Sequence, residues 1–115
     1  MQRCTVSYEN IIYEIKENRA FLTIHRPPMN ILNIAAMEEM NHVLKSLAGN
    51  SAVKALIITG SGEKAFSAGV DVTEHTQEKV EKMLQVFHDI FRNLSELNQV
   101  TIAATKGFTL GGGCE

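Results

Sequence analysis

The chain has 115 residues, of which 44% are hydrophobic, and a formal net charge of −2 with acidic and basic side chains interspersed. This length favours one domain with one core, and the charge pattern argues against a protein that binds nucleic acid or anionic lipid. The two cysteines, Cys4 and Cys114, stand at opposite ends of the chain. They predict neither a disulfide framework nor a zinc site, which favours a reducing cytoplasm.

The N-terminal segment is expected to begin a soluble protein with a β-hairpin. Residues 1–10 lack the apolar core of a signal peptide, and no run approaches the roughly 18 apolar residues of a membrane span. Residues 11–15 and 20–25 are rich in β-branched and aromatic side chains. Asn18 lies between them and can take positive φ in the connecting turn. The prolines at 27–28 then end the second strand.

Two amphipathic helices follow from the spacing of apolar residues. Asn33 is a suitable N-cap for a helix that runs to about Ala48 and ends at Gly49. Methionines lie on its apolar stripe, where a core role is commoner than a soft ligand site. His42 lies off this stripe and is expected to be exposed. Residues 76–97 have the strongest helical periodicity in the chain.

Two strand-to-loop transitions are the candidate functional feature. Residues 53–59 and 100–105 are almost continuous apolar runs, which predicts strands covered on both faces. The first leads into a long loop of small residues at 60–71, and the second leads to the glycine triplet 111–113. If the strands are parallel neighbours, both loops emerge at one sheet edge, and their N–H groups can form an oxyanion hole. Glu115 beside it would be a general acid/base.

Other motifs give weaker alternatives. Gly60, Gly62 and Ala65 fit the spacing of a dinucleotide-binding fingerprint after a strand, although helical periodicity does not begin there. A nucleotide-binding α/β module is therefore a remote alternative. Asp71 and His75 could belong to a metal site, but no further ligand follows at a usable spacing, and we predict no metal.

Several segments, in order along the chain, resemble the N-terminal half of the enoyl-CoA hydratase/isomerase family, also called the crotonase superfamily. They are Arg26-Pro27, Asn30-Ile31-Leu32, Ala55 to Gly60, Lys64 to Asp71, Ala103-Ala104, Gly107 and Leu110 to Glu115. The resemblance implies an α/β fold, the crotonase-like ββα spiral. Residues 1–115 would be a truncated crotonase-like domain, its N-terminal CoA-binding half.

The resemblance also implies site residues. The N–H groups of Val70 and Gly112 would form the oxyanion hole for the thioester oxygen, and Glu115 would be one of two catalytic glutamates. The implied CoA-binding residues are Arg26, Lys64, Phe66, Ala68, Val70, Asp71, Gly111 and Gly112. No cofactor is implied beyond the coenzyme A of the substrate. Thr73, Gln99 and Lys106 depart from the family pattern.

The implied activity is that of a lyase that adds water to the double bond of an acyl-CoA thioester. The alternatives are an isomerase of the same superfamily and a noncatalytic acyl-CoA-binding or assembly fragment. The loop 27–30 and the His75 region resemble cyclic dienoyl-CoA hydratases of anaerobic aromatic degradation. The second glutamate, most of the acyl pocket and the helices of a homotrimer or hexamer would lie beyond residue 115. The chain alone is therefore expected to be inactive.

Overall fold

The computed structural model describes residues 3–115, with side chains from residue 7 onward. The elements are β1 (Arg3–Ser7), β2 (Ile11–Lys16), β3 (Arg19–Ile24), α1 (Ile34–Ala48), β4 (Ala55–Gly60), β5 (Ala65–Ser67), a 3₁₀ turn (Val72–Glu74), α2 (Val80–Ser95), β6 (Val100–Ala104), β7 (Phe108–Thr109) and a second 3₁₀ turn (Gly111–Gly113). Within the described residues, neither helix is long and apolar enough to span a bilayer.

The larger sheet has five strands in the order β1-β2-β3-β4-β6. Strands β1 to β3 are antiparallel, whereas β3, β4 and β6 are parallel. Strands β5 and β7 form a separate parallel pair. The mixture of hairpin and helix-connected parallel strands is the predicted α/β architecture, although β1, β5 and β7 were not predicted.

The predicted hairpin is confirmed, with Ile11 opposite Ile24 and Lys16 opposite Arg19. The positive φ of the turn lies at Glu17, at 61°, and not at Asn18 as the sequence suggested. Asparagine tolerates left-handed backbone better than glutamate does, so the register of the two strands overrides the local preference here.

One apolar core lies between the sheet and the two helices. It is built from buried side chains of β2, β3, β4, α1, α2 and the loops that precede α1 and β4: Ile11, Tyr13, Ala20, Leu22, Ile24, Leu32, Met37, Met40, Val43, Leu44, Leu47, Val53, Leu56, Met83, Val86, Phe87 and Ile90. The methionines of α1 are therefore core residues, as predicted. His42 is exposed, as predicted, and its Nδ1 lies 2.7 Å from the hydroxyl of Tyr8.

The N-terminus of α1 is capped as predicted. The Asn33 side-chain oxygen accepts a hydrogen bond from the Ala36 N–H at 2.8 Å, and the helix gives way to Gly49. Glu74 supplies a second acceptor at 2.6 Å from the Ile34 N–H. A carboxylate at this end also complements the helix dipole. This hydrogen bond holds the segment around Glu74 against the N-terminus of α1.

Helix α2 is shorter than the predicted 76–97. It begins at Val80 because Thr76 forms a turn first, with its carbonyl accepting from both Lys79 and Val80. It ends at Ser95, where Glu96 closes a tighter turn onto Asn93. The apolar periodicity continues past the C-terminal end to Leu97, whereas residues 76–79 are all polar, so spacing alone could not place the helix ends.

The prediction that both apolar runs are buried on both faces is wrong. Strand β4 is central, between β3 and β6, yet only Leu56 and Gly60 in it are fully buried. All five residues of β6 are exposed, including Val100 at 64% and Ile102 at 47%. The physical reason is that β6 is the last strand of this sheet, and nothing among the described residues covers it.

The segment 60–71 is not a simple loop. Its middle, β5, is buried and pairs with β7 some forty residues later. Local sequence patterns do not reveal such a distant partner. Gly60, Gly62 and Ala65 precede or begin this strand and open no helix, so the dinucleotide fingerprint is not matched.

Candidate active site

The two predicted loops meet at one edge of the main sheet. Parallel pairing places Thr59 beside Ala104, so the chain leaves β4 and β6 in the same direction. The strands β5 and β7 then join the two loops directly. The Phe108 N–H donates to the Lys64 carbonyl at 2.9 Å, and the Leu110 N–H donates to the Ser67 carbonyl at 3.1 Å. The glycine triplet therefore lies against the end of the first loop, as the sequence predicted.

The glycine triplet packs by its backbone. Gly111 has φ of 52°, which side-chain-bearing residues rarely adopt. A Cβ at Gly113 would overlap the Ser67 carbonyl, and a Cβ at Gly112 would lie 2.9 Å from Cγ2 of Val70. The absence of side chains is thus what lets this turn contact Ser67 and Val70.

A β-bridge sets the direction of the Val70 N–H. Leu32 donates to the Gly69 carbonyl at 2.8 Å and accepts from the Asp71 N–H at 2.9 Å. The C=O and N–H of one trans peptide point in opposite directions, so the Val70 N–H points away from Leu32. Neither this N–H nor that of Gly112 donates to any acceptor in the part of the chain that the structure describes. Two adjacent backbone donors are therefore free.

An apolar cleft of about 220 Å³ lies beside the Gly112 donor. Its walls come from the sheet, from both loops and from α2: Ile24, Leu32, Met40, Ile58, Phe66, Ser67, Phe87, Ile90, Phe91, Leu94, Thr101, Ala103, Thr105, Thr109, Gly112, Gly113, Cys114 and Glu115. Glu115 is the one carboxylate among the described residues of this lining. The Glu115 N–H donates to the Gly111 carbonyl at 3.2 Å, and Glu115 is exposed. The site thus combines an apolar pocket, free N–H donors and a carboxyl side chain.

The CoA-binding residues implied by the resemblance fall into separate groups. Phe66 lines the cleft, as does Gly112. Arg26 and Asp71 instead line a second, open hollow of about 410 Å³. Lys64 is exposed and lines neither space.

The remaining three members of this set lie in the loops themselves. Val70 follows the buried Gly69 and lines neither space. Ala68 is half-buried, and its N–H donates to the Met29 carbonyl at 3.0 Å. Gly111 is exposed at the start of the glycine turn, and its carbonyl accepts from the N–H groups of Cys114 and Glu115.

Arg26 and Asp71 already have partners within the chain. Arg26 donates to the Ile31 carbonyl at 2.6 Å. The Asp71 carboxylate accepts from the Thr73 hydroxyl at 2.7 Å and from the Thr73 N–H at 2.9 Å. These two hydrogen bonds, with smaller contributions from the charges of Arg26 and His75, lower the pKa of Asp71 below its usual value. No cluster of three potential metal ligands occurs among the described residues.

Some residues of the site were not singled out by sequence reasoning. Phe87, Ile90 and Leu94 of α2 belong to a stripe that predicts core, and apolar periodicity does not distinguish a core face from a cleft wall. Asn30 and Ser67 are polar and fully buried between the loops. The sequence feature that could have identified them is a polar side chain within a segment of small and apolar residues.

Comparison with known proteins gives a consistent result. A family profile for enoyl-CoA hydratase/isomerase matches residues 14–115. The chain is 40% identical over 110 residues to a short-chain-enoyl-CoA hydratase of Clostridium acetobutylicum, covering 92% of the chain and 42% of that protein. It is 39% identical over 114 residues to a crotonyl-CoA hydratase of Syntrophomonas wolfei, covering 96% of the chain and 44% of that protein. The chain thus spans less than half the length of these relatives.

Solved structures show the same fold. The enoyl-CoA hydratase of Bacillus anthracis superposes with a TM-score of 0.85 at 30% identity, covering 91% of this chain and 43% of that one. DspI of Pseudomonas aeruginosa superposes with a TM-score of 0.87 at 28% identity, covering 94% of this chain and 42% of that one. The crotonase-like fold expected from the sequence is therefore confirmed for the described residues.

Proposed function

The chain belongs to the enoyl-CoA hydratase/isomerase family, and from this membership we propose that the protein carrying it adds water to the double bond of an enoyl-CoA thioester. One observation supports the proposal most: the N–H groups of Val70 and Gly112 are free, and Gly112 lines an apolar cleft that Glu115 also lines. Such a site suits a neutral acyl chain whose carbonyl oxygen gains negative charge during the reaction.

In the proposed reaction the thioester oxygen accepts hydrogen bonds from both N–H groups. Water attacks the β-carbon, so that a C–O bond forms while the C=C electron pair moves toward the thioester and places negative charge on its oxygen. The enolate collapses as the α-carbon takes a proton. Glu115 accepts a proton from the attacking water or supplies the proton to the α-carbon. The resemblance assigns the complementary transfer to a second glutamate.

The substrate is proposed to carry a short acyl group. The two relatives described above are named for short-chain enoyl-CoA and crotonyl-CoA, and the cleft is small. The similarity to cyclic dienoyl-CoA hydratases stays a prediction, because Pro27, Pro28 and Met29 line the open hollow and not the cleft.

The coenzyme A part is proposed to bind along the loop from Phe66 to Asp71. This part of the account rests on the resemblance, with support from the position of the loop between the cleft and the open hollow. Coenzyme A enters as part of the substrate, and no other cofactor is proposed. Assembly as a homotrimer or hexamer and a cytoplasmic location also stay predictions from the sequence.

Replacing Glu115 by glutamine tests the proposed chemistry. Glutamine keeps the size and hydrogen-bonding capacity of the side chain but cannot transfer a proton at neutral pH. In the protein carrying this chain, the Glu115→Gln variant should lose about a hundredfold to ten-thousandfold in kcat for crotonyl-CoA hydration. Binding of butanoyl-CoA, which has no double bond, should persist because the carboxylate is not proposed to hold the thioester.

Glu96→Gln is the matched control, since Glu96 is exposed at the end of α2 and outside the cleft lining. It should leave kcat unchanged. Full turnover in Glu115→Gln would remove Glu115 from the chemistry. A wild-type protein that binds butanoyl-CoA without hydrating crotonyl-CoA would favour the noncatalytic alternative, and double-bond migration without hydration would favour an isomerase.

A further inference from the structure

Two polar side chains are completely buried between the loops of the site. Asn30 and Ser67 each have 0% exposure, and both side chains are uncharged. Burying polar groups is unfavourable unless each is hydrogen-bonded, so their contacts are informative. Those contacts join the two segments that carry the free N–H donors to the chain that follows β3 and β4.

Ser67 contacts both halves of the site. Its hydroxyl donates to the Asn30 carbonyl at 2.8 Å and accepts from the Gly69 N–H at 3.2 Å. Its own carbonyl accepts from the Leu110 N–H at 3.1 Å and packs against Gly113. One residue therefore holds the chain next to Val70 through its side chain and holds the glycine turn through its backbone.

Asn30 connects Ser67 to the segments that follow β3 and β4. Its side-chain amide donates to the carbonyls of Ala65 at 2.8 Å and Ser61 at 3.1 Å, and its side-chain oxygen accepts from the Arg26 N–H at 3.0 Å. Its backbone takes φ of 51°, which turns its carbonyl toward Ser67. Asparagine is among the few residues other than glycine that adopt this conformation readily.

We propose that Ser67, anchored by Asn30, is a positioning residue that fixes the two N–H donors relative to each other. The inference rests on the proposed function, since it concerns the same pair of donors. Its physical basis is that oxyanion stabilisation depends on donors held at short, fixed distances from one oxygen. A displacement of about 1 Å in a catalytic group can cost about a hundredfold in rate. The hydroxyl of Ser67 constrains one donor segment, and its carbonyl constrains the other.

The test compares Ser67→Ala with wild type in the protein carrying this chain. Alanine keeps the Ser67 carbonyl and removes the hydroxyl, so the Val70 side of the pair should shift while the glycine turn stays attached. We expect kcat for crotonyl-CoA to fall about tenfold to a hundredfold with KM little changed. The amide NMR signal of Val70 should move in the free variant, and its response to butanoyl-CoA should shrink. Ser67→Cys, which retains a weak donor and acceptor, should recover part of kcat.

Asn41→Ala is the control for a simple loss of stability. Asn41 is also buried, and its amide donates to the Val86 carbonyl at 2.9 Å, between the helices and away from both loops. This variant should unfold at lower temperature yet keep wild-type kcat when folded. If Ser67→Ala does not fold, the comparison of Ser67→Cys with wild type decides the matter by the same readouts.

The outcomes separate this inference from the proposed function. If the wild type hydrates crotonyl-CoA and folded Ser67→Ala has the same kcat, the positioning role is overturned and the hydratase proposal stays intact. Where Ser67→Ala does not fold, an unchanged kcat in Ser67→Cys has the same meaning. A loss of activity that only follows the folded fraction, as in Asn41→Ala, overturns it as well. If butanoyl-CoA moves neither the Val70 nor the Gly112 amide signal in the wild type, the oxyanion hole itself is wrong, and the inference falls with it.

Discussion

At the scale of single residues, the carbonyl oxygen of Ser67 occupies the space that a side chain at residue 113 would need. Gly113→Ala should therefore push the glycine turn away from the first loop. We expect a loss of about 1–3 kcal/mol in the free energy of unfolding, the usual cost of overpacking. Chemical denaturation of the protein carrying this chain measures it.

Gly49→Ala is the matched control for this substitution. No atom lies closer than 4.0 Å to the position of a Cβ at Gly49, and its φ of −90° suits any residue. The control should be nearly neutral in the same denaturation experiment. Equal effects of the two substitutions would show that the contact between Gly113 and Ser67 is not tight.

Residue-level predictions succeeded where a side chain acts on backbone groups a few residues away. Asn33 was predicted as a cap and is one, because its short side chain reaches the first free N–H groups of α1. Asn18 was wrongly given the positive φ of the hairpin turn, which Glu17 takes. The placement of Val70 and Gly112 came from the family resemblance, and the structure adds that their N–H groups are free. The role of Ser67 was not predicted, because the residues that it contacts lie far apart along the chain.

At the scale of elements, local patterns predicted what local forces determine. The two helices and the hairpin follow from apolar spacing and turn residues, and they are present with shifts at their ends. Strands β5 and β7 are only three and two residues long, and each exists because the other pairs with it. No local signal can reveal such a pair, although its pairing is what draws the glycine turn to the first loop.

The burial of β6 shows a different limit. An apolar run predicts that a strand will be covered, but it does not predict what covers it. In the described structure β6 pairs with β4 alone, and all its residues are exposed. The sequence of β6 therefore indicates that the strand prefers an apolar environment. Whether its side chains are buried depends on which other elements pack against it.

At the scale of the whole molecule, apolar side chains remain exposed on the β6 side: Val100 at 64%, Ile102 at 47%, Phe108 at 50% and Leu110 at 50%. We expect residues 1–115, expressed alone, to bind an apolar dye or to self-associate, because such surface is unfavourable in water. The double variant Val100→Thr with Ile102→Thr keeps β-branched side chains and should bind less dye. A monomeric wild-type chain with a cooperative thermal transition and no dye binding would contradict this expectation.

The central claim is that backbone N–H groups of the two loops hold the thioester oxygen, and removing one donor tests it most directly. Val70→Pro deletes the N–H without breaking any hydrogen bond of the described structure, because that N–H has no acceptor there. Val70→Ala keeps the N–H and controls for the lost side chain. In the protein carrying this chain, the account predicts that kcat for crotonyl-CoA falls about a hundredfold to a thousandfold in folded Val70→Pro, with a much smaller change in Val70→Ala. A folded Val70→Pro protein that hydrates crotonyl-CoA at the rate of Val70→Ala would contradict it.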